Sequence, residues 1–185
     1  MDPDAKVQVA TLGTALYYTT KRNSKGTFDF IGQNGSYAGE DALLTALSVN
    51  DYHRIYGLAS TPDFGGQPNT IDTTTLDNTK AETSVLGLQP AAEVTYEINM
   101  MSFNDVPNDG TEHNLRAVKA LADASPKDAG KAHWVVVKAS GVIIEYDATT
   151  NISYTADAQQ DIEKFSIYHD VKSDIAVSLP EAASL

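Results

Sequence analysis

The sequence has no cysteine among its 185 residues, which excludes disulfide scaffolds, thiolate nucleophiles and cysteine-ligated zinc or iron–sulfur sites. Long apolar runs are also missing, since stretches such as residues 134–137 are far shorter than the roughly 18 residues that a membrane-spanning helix needs. Basic side chains are few: 13 Lys and Arg face 25 Asp and Glu, for a net charge of -12. This balance opposes binding to the outside of nucleic acid or to an anionic membrane. Residues 1–4 lack the features of a secretory signal, so we expect no export.

Motifs for catalysis or metal binding are not apparent. The histidines stand singly, without the paired spacing that places two imidazoles on one metal. No phosphate-binding loop or nucleophile elbow occurs, and residues 105–116 depart from a calcium loop at Pro107 and Arg116. We therefore predict no catalytic residue, no metal site and no cofactor. A hydrolase with two carboxylates across a cleft stays open as a weaker alternative, because a sequence does not reveal which acids face each other.

Apolar residues recur mostly at strand spacing, which predicts a mainly β, antiparallel fold. Residues 7–20 are rich in β-branched and aromatic side chains, the cluster at 21–26 predicts a turn, and residues 27–31 predict the return strand of a hairpin. The further predicted strands cover residues 52–60, 70–76, 93–100, 133–139, 142–146, 163–169 and 174–179, with one more possible around 152–154.

One segment has clear helical spacing. Thr111 is a candidate N-cap, and Leu115, Val118 and Leu121 recur on one helical face before Ser125 and Pro126 end the helix. Residues 40–47 favour one or two helical turns. The sequence thus predicts a single domain over residues 1–185, an antiparallel β-sandwich or partly open barrel with one flanking α-helix.

Alternation is clearest in residues 93–100. Val94, Tyr96, Ile98 and Met100 share one face of this strand, and polar side chains share the other, which indicates a half-buried antiparallel strand. The same reasoning makes Glu93, Glu97 and Glu145 candidate outward-facing acids.

An ordered series of short pieces runs through the middle of the chain. Residues 56–78 read YGLASTPDFGGQPNTIDTTTLDN, and VLGL at 85–88 and the alternating strand from Glu93 follow. These pieces come in a fixed order: a strand ending in Thr-Pro, a stretch that contains Gly and Pro, a β-branched segment, an x-Gly-Leu break and an alternating strand. In this order and spacing the chain resembles the major tail protein, or tail tube protein, of long-tailed bacteriophages.

The resemblance implies a structural virion protein whose hexameric rings stack into the tail tube, the conduit for DNA ejection. It implies partners in further copies of the chain and in the tape measure, tail terminator and distal tail proteins, without a membrane, and a location in the virion tail after assembly in the bacterial cytoplasm. DNA would pass without specific binding, because an acidic lining repels its phosphates. Glu93, Glu97 and Glu145 are the candidate lumen-facing acids. An N-terminal arm and the loop around residues 62–78 would contact neighbouring subunits, through candidate residues Pro62, Asp63, Phe64, Gly65, Gly66, Pro68, Ile71, Thr74 and Leu76.

Two alternatives of other kinds remain open at this point. The tube protein of a contractile injection or secretion system would share the same pattern. A monomeric carbohydrate-binding β-sandwich would also fit the strands and the acidic balance, and binding to sugars without ring formation would distinguish it.

Overall fold

The computed structural model of this chain describes residues 13–32, 35–62, 64, 70–72, 84–86, 93–100, 114–124, 130–154 and 163–181. Within these ranges the chain is mainly β and carries two helices. The strands are β1 Ala15–Thr19, β2 Ser36–Tyr37, β3 His53–Ile55, β4 Leu58–Ser60, β5 Thr70–Asp72, β6 Ser84–Leu86, β7 Glu93–Asn99, β8 Lys131–Val137, β9 Ile143–Tyr154, β10 Lys164–Val171 and β11 Ala176–Pro180, and the helices are α1 Gly39–Val49 and α2 Asn114–Ala124.

Most of the strands join one sheet in the order β3-β1-β8-β9-β10-β7-β4, in which every neighbouring pair is antiparallel. The long β9 is paired by β8 on one edge, while its other edge is shared between β11 at its start and β10 at its end. The short β2 adds to β11 in parallel, and β5 and β6 form a separate two-stranded sheet.

The two ends of this strand order meet at one corner. Strands β3 and β4 lie at opposite ends of the order, yet only Tyr56 and Gly57 separate them in sequence. In a flat sheet the six intervals of about 4.8 Å would place these strands about 29 Å apart, whereas a two-residue connection spans only about 10 Å. The sheet must therefore curl, and Gly57 makes the corner with φ +79°, a value that favours glycine. The result is a partly open antiparallel barrel, which confirms the predicted fold class.

The inside of the curl is the main hydrophobic core. Trp134, Tyr96 and Tyr146 are fully buried there, and α2 closes the core with Val118 and Leu121. Burial of one such large side chain contributes about 1.5–3 kcal/mol, so this cluster stabilises the curl. Its other buried members are Leu16, Tyr18, Ile55, Val94, Ile98, Ala132, Val136, Ile144, Ala148, Phe165 and Ile167.

A second apolar cluster lies on the opposite face of the sheet, under α1. Leu43 and Leu47 come from one side of α1, where their spacing of four residues places them together. They pack with Val135, Val137 and further residues of β1, β2 and β9. Both faces of strand β8 are consequently buried, because its alternate residues pack into the two clusters.

Three sequence-based predictions need correction. Residues 27–31 do not form a strand, since both edges of β1 are already paired, with β3 and β8. Residues 147–151, predicted as a connection, belong to β9, which runs without a break to Tyr154. The segment at residues 40–47 is part of a full helix, so the described chain has two helices rather than one flanking helix. Thr111 and the N-terminal arm lie outside the described residues.

Candidate functional site

The outer face of the barrel is divided into two halves. Helix α1 and residues 28–32 lie over β1, β8 and the start of β9. The strands β7 and β10 and the end of β9 instead present polar side chains on this face, because their alternate residues fill the barrel interior. We call this second region the polar face, and its described members are Thr95, Glu97, Asn99, Asn151, Ser153, Lys164, Ser166, Tyr168 and Asp170.

Strand register determines which side chains on the polar face are neighbours. Ser166 of β10 lies directly between Glu97 of β7 and Ser153 of β9. Tyr168 is 44% exposed, and its hydroxyl accepts a hydrogen bond from the Ser153 hydroxyl at 3.2 Å. Asp170 forms an ion pair with Lys172. The face is therefore rich in hydroxyl and amide groups, and its charged members are Glu97, Lys164 and Asp170.

The three candidate lumen-facing acids have different outcomes. Glu97 is exposed on the polar face, as the alternation predicts. The outward placement of Glu145 is wrong, because its side chain is fully buried beneath residues 28–32. The side chain of Glu93 lies outside the described residues. Whether Glu97 lines a lumen stays a prediction.

Glu145 is held by three hydrogen bonds in its buried position. The backbone amides of Ile31 and Gly32 donate to its two carboxylate oxygens at 2.7 and 2.8 Å. The Nε2 of His133 lies 3.3 Å from the first of these oxygens. The carboxylate thus fixes residues 31 and 32 to the sheet, which leaves these two amides unavailable for the strand pairing predicted there.

His133 lies between two carboxylates. Its Nδ1 is 2.6 Å from Asp147 Oδ1, and register places these two residues directly opposite each other on β8 and β9. Burial alone would lower the pKa of His133, but the hydrogen bonds and charges of Asp147 and Glu145 outweigh it and raise the pKa above its usual value. We refer to His133, Glu145 and Asp147 as the buried cluster.

Aromatic rings surround the buried cluster. Phe28 stacks on the His133 ring at 5.8 Å between centroids, Phe30 meets it edge-on at 4.5 Å, and Tyr52 lies at 6.1 Å. Burial and the nearby charges of Glu145, Asp147 and Asp29 raise the pKa of Tyr52. The rings keep water from His133 and Glu145, which strengthens their mutual attraction, whereas the Asp147 side chain remains 25% exposed.

A network of hydrogen bonds between buried polar side chains also crosses the barrel interior. The hydroxyls of Tyr96 and Tyr146 are 2.7 Å apart, and the Tyr146 hydroxyl is 2.8 Å from Nδ1 of His169. The His169 ring also packs against Trp134 at 4.0 Å between centroids. Burial lowers the pKa of His169 to about 3 and raises those of both tyrosines. The Tyr96–Tyr146–His169 network is therefore uncharged, in contrast to the buried cluster.

Only part of the predicted inter-subunit loop falls within the described residues. Pro62 and Phe64 are half-buried, and the Phe64 ring lies 6.0 Å from that of Tyr146, against the core of its own subunit. Lys138 Nζ lies 5.6 Å from the centre of the Phe64 ring. Ile71 belongs to β5. The remaining candidates, Asp63, Gly65, Gly66, Pro68, Thr74 and Leu76, lie outside the described residues, and the role of the loop between subunits stays a prediction.

The buried cluster was missed by the sequence analysis, although a signal for it existed. Glu145 lies on the predicted strand 142–146 and Asp147 follows directly after its end, so extending that strand by one residue would have placed both carboxylates on one face. Residues 139–141, Ala-Ser-Gly, lie between the predicted strands 133–139 and 142–146, and a hairpin centred there places His133 opposite Asp147. Reading that register from the turn would have brought an imidazole and two carboxylates together.

Comparisons with protein-family models and with curated proteins find no match for this chain. Among the residues that the structure describes, no group of three or more His, Asp or Glu side chains is arranged to hold a metal ion. Neither described helix has the length and apolar character required to cross a membrane.

Proposed function

We propose that this chain is a non-enzymatic structural subunit that assembles into stacked hexameric rings and forms the tail tube of a long-tailed phage, through which DNA passes to the host. The observation that carries the proposal is the position of β7. The ordered tail-tube-like segment leads into this strand, and β7 lies on the polar face with Glu97 exposed.

The chemistry of the polar face suits a conduit. An exposed sheet face that is rich in hydroxyls and amides stays hydrated, and among its described members only the half-buried Lys164 is a cation that could bind DNA phosphates. Lys172, which directly follows β10, is paired with Asp170, and this pairing reduces its attraction to phosphate. Repetition of Glu97 around a ring would add a band of negative charge that repels the DNA backbone.

Negative-stain electron microscopy over a range of protein concentrations, with light scattering on the same samples, tests the assembly. We expect hollow tubes or stacked rings, formed either by the protein alone or after addition of tail-tip components that initiate polymerisation. A protein that stays monomeric under both conditions would overturn the proposal.

Two charge-reversal variants test the orientation of the subunit. In Glu97→Lys tubes, each ring gains positive charge along the proposed lumen, so these tubes should retain DNA fragments that wild-type tubes release. Glu40→Lys makes the same charge change on α1, away from the polar face, and its tubes should behave like wild type. Equal retention by both variants would contradict the placement of Glu97 in the lumen.

One observation favours a second candidate, a carbohydrate-binding module. Tyr168 presents an exposed ring beside Asn151 and Asp170, and an aromatic surface with neighbouring hydrogen-bonding groups is suited to a sugar. A monomer that binds a glycan array and loses this binding in Tyr168→Ala would support this candidate over the tube.

A further inference from the structure

The buried cluster joins residues 28–32 to the sheet through groups that titrate. Glu145 accepts hydrogen bonds from the amides of Ile31 and Gly32, and it is in turn contacted by His133. Residues 28–32 have no strand pairing of their own in the described part of the chain. Besides the packing of Phe28, Phe30 and Ile31, their polar attachment to the sheet therefore depends on a histidine and its partner acids.

The geometry defines that charge state. Both ring nitrogens of His133 face carboxylate oxygens, Nδ1 at 2.6 Å and Nε2 at 3.3 Å. A neutral imidazole has one N–H and one lone pair, so one nitrogen would direct its lone pair at a carboxylate. Only the imidazolium donates from both nitrogens, and it compensates a buried carboxylate that would otherwise be costly.

We propose that His133 is a proton-dependent latch: as the imidazolium it locks residues 28–32 over the β8–β9 hairpin, and loss of its proton releases them. Without the proton, the ring that contacts Glu145 and Asp147 no longer carries a positive charge. The segment can then leave the sheet and let water reach Glu145. Because Gly32 packs directly on Ser178, its release also loosens the contact with β11.

Other titratable and charged groups also lie around His133. Tyr52 packs edge-on to the ring and stays neutral, and Asp29 of the segment adds a negative charge near Tyr52. Lys131 lies two residues away on β8 itself, and Arg22 lies over Phe28, with the Phe28 ring between it and the imidazole. Helix α1 brings Leu43 and Leu47 to this face of the sheet, while its acids Glu40 and Asp41 are exposed.

Amide hydrogen exchange against pH tests the latch. The exchange protection of Ile31 and Gly32, corrected for the intrinsic rate at each pH, should be constant below about pH 6.5. It should then fall roughly tenfold per pH unit until the pKa of the closed state is reached, because opening releases one proton in that range. The amides of α1, which pack on the same face through apolar contacts, serve as the internal reference.

Two variants separate the latch from general alkaline loosening. His133→Gln should show low protection at residues 31 and 32 without this pH dependence, whereas His53→Gln, on the edge strand β3, should keep the wild-type profile. Protection that is independent of pH in the wild type, or an unchanged profile in His133→Gln, would overturn the proposal. If His133→Gln does not fold, the ring-nitrogen shifts of wild-type His133 decide by NMR: an imidazolium at neutral pH supports the latch, and a neutral ring refutes it.

Discussion

Two acids that the sequence analysis treated alike provide the sharpest test of the structure. We expect Glu145→Gln to destabilise the protein strongly and Glu97→Gln to leave its stability unchanged. Glutamine has the shape of glutamate but keeps one oxygen, so it satisfies one of the two amides of Ile31 and Gly32 and presents an NH₂ group to the other. It also removes one of the two negative charges beside His133.

The magnitude follows from these losses. Leaving a buried donor unsatisfied costs about 1–3 kcal/mol, and removing one partner of a buried ion pair costs about 3–5 kcal/mol. Asp147 still pairs with His133, so we expect the lower end, about 3 kcal/mol in the free energy of unfolding. For a chain of this size that lowers the melting temperature by about 6–12 °C.

Urea denaturation followed by tryptophan fluorescence measures the effect. The chain has one tryptophan, Trp134, which is fully buried in the core and therefore reports global unfolding. Glu97→Gln is the control, and its free energy of unfolding should lie within about 0.5 kcal/mol of wild type because the side chain is exposed. A Glu145→Gln variant within that same range would refute the reasoning about the buried cluster.

Two further predictions concern a close contact and a buried histidine. Gly32→Ala should cost about 1–3 kcal/mol, because a Cβ there would lie 1.9 Å from Ser178 Oγ and 2.4 Å from Ser178 Cβ; Ser178→Gly should relieve this cost in a double-mutant cycle, and purely additive effects would contradict the clash. The pKa of His169 is about 3 in the folded state and about 6.5 in the unfolded state. This difference stabilises the protein above pH 6.5, and the stabilisation is lost as the pH falls. The free energy of unfolding measured in urea should therefore fall between about pH 6.5 and pH 3, by up to about 1.4 kcal/mol per pH unit. His169→Gln should flatten this slope, and a slope unchanged by the substitution would argue against a neutral His169.

Strand β7 could be predicted in detail because its two faces have different environments. Val94, Tyr96 and Ile98 fill the core, while Glu97 on the other face is exposed, so the alternation in sequence reports directly on burial. The start of β9 gave no such contrast. Ile144 faces the barrel interior and Ile143 faces α1, so both of its faces are buried and the outward position inferred for Glu145 does not exist.

Residues 27–31 show how tertiary contacts override local preference. Thr27, Phe28, Phe30 and Ile31 are residues that favour strands, and a basic turn precedes them, so a hairpin with β1 was a sound expectation. Strand β1 nevertheless pairs with β3 and β8, which come from distant parts of the sequence. With no free edge on β1, the amide of Ile31 satisfies its hydrogen-bonding requirement on Glu145 instead.

The same sheet shifts the pKa values of two buried histidines in opposite directions, and the reason lies in what each face supplies. On the side of α1, the partners of His133 are carboxylates, which favour the charged ring and raise its pKa despite burial. In the barrel interior, the hydrogen-bond partner of His169 is the neutral hydroxyl of Tyr146, so burial acts unopposed and its pKa falls. Acidification then destabilises the protein through His169, and a rise in pH removes the stabilising charge of His133. The stability contributed by these two groups is therefore greatest near the unfolded-state histidine pKa of about 6.5, where both contributions are close to complete. Substitution of His169 should remove the loss on the acid side, and substitution of His133 the loss on the alkaline side.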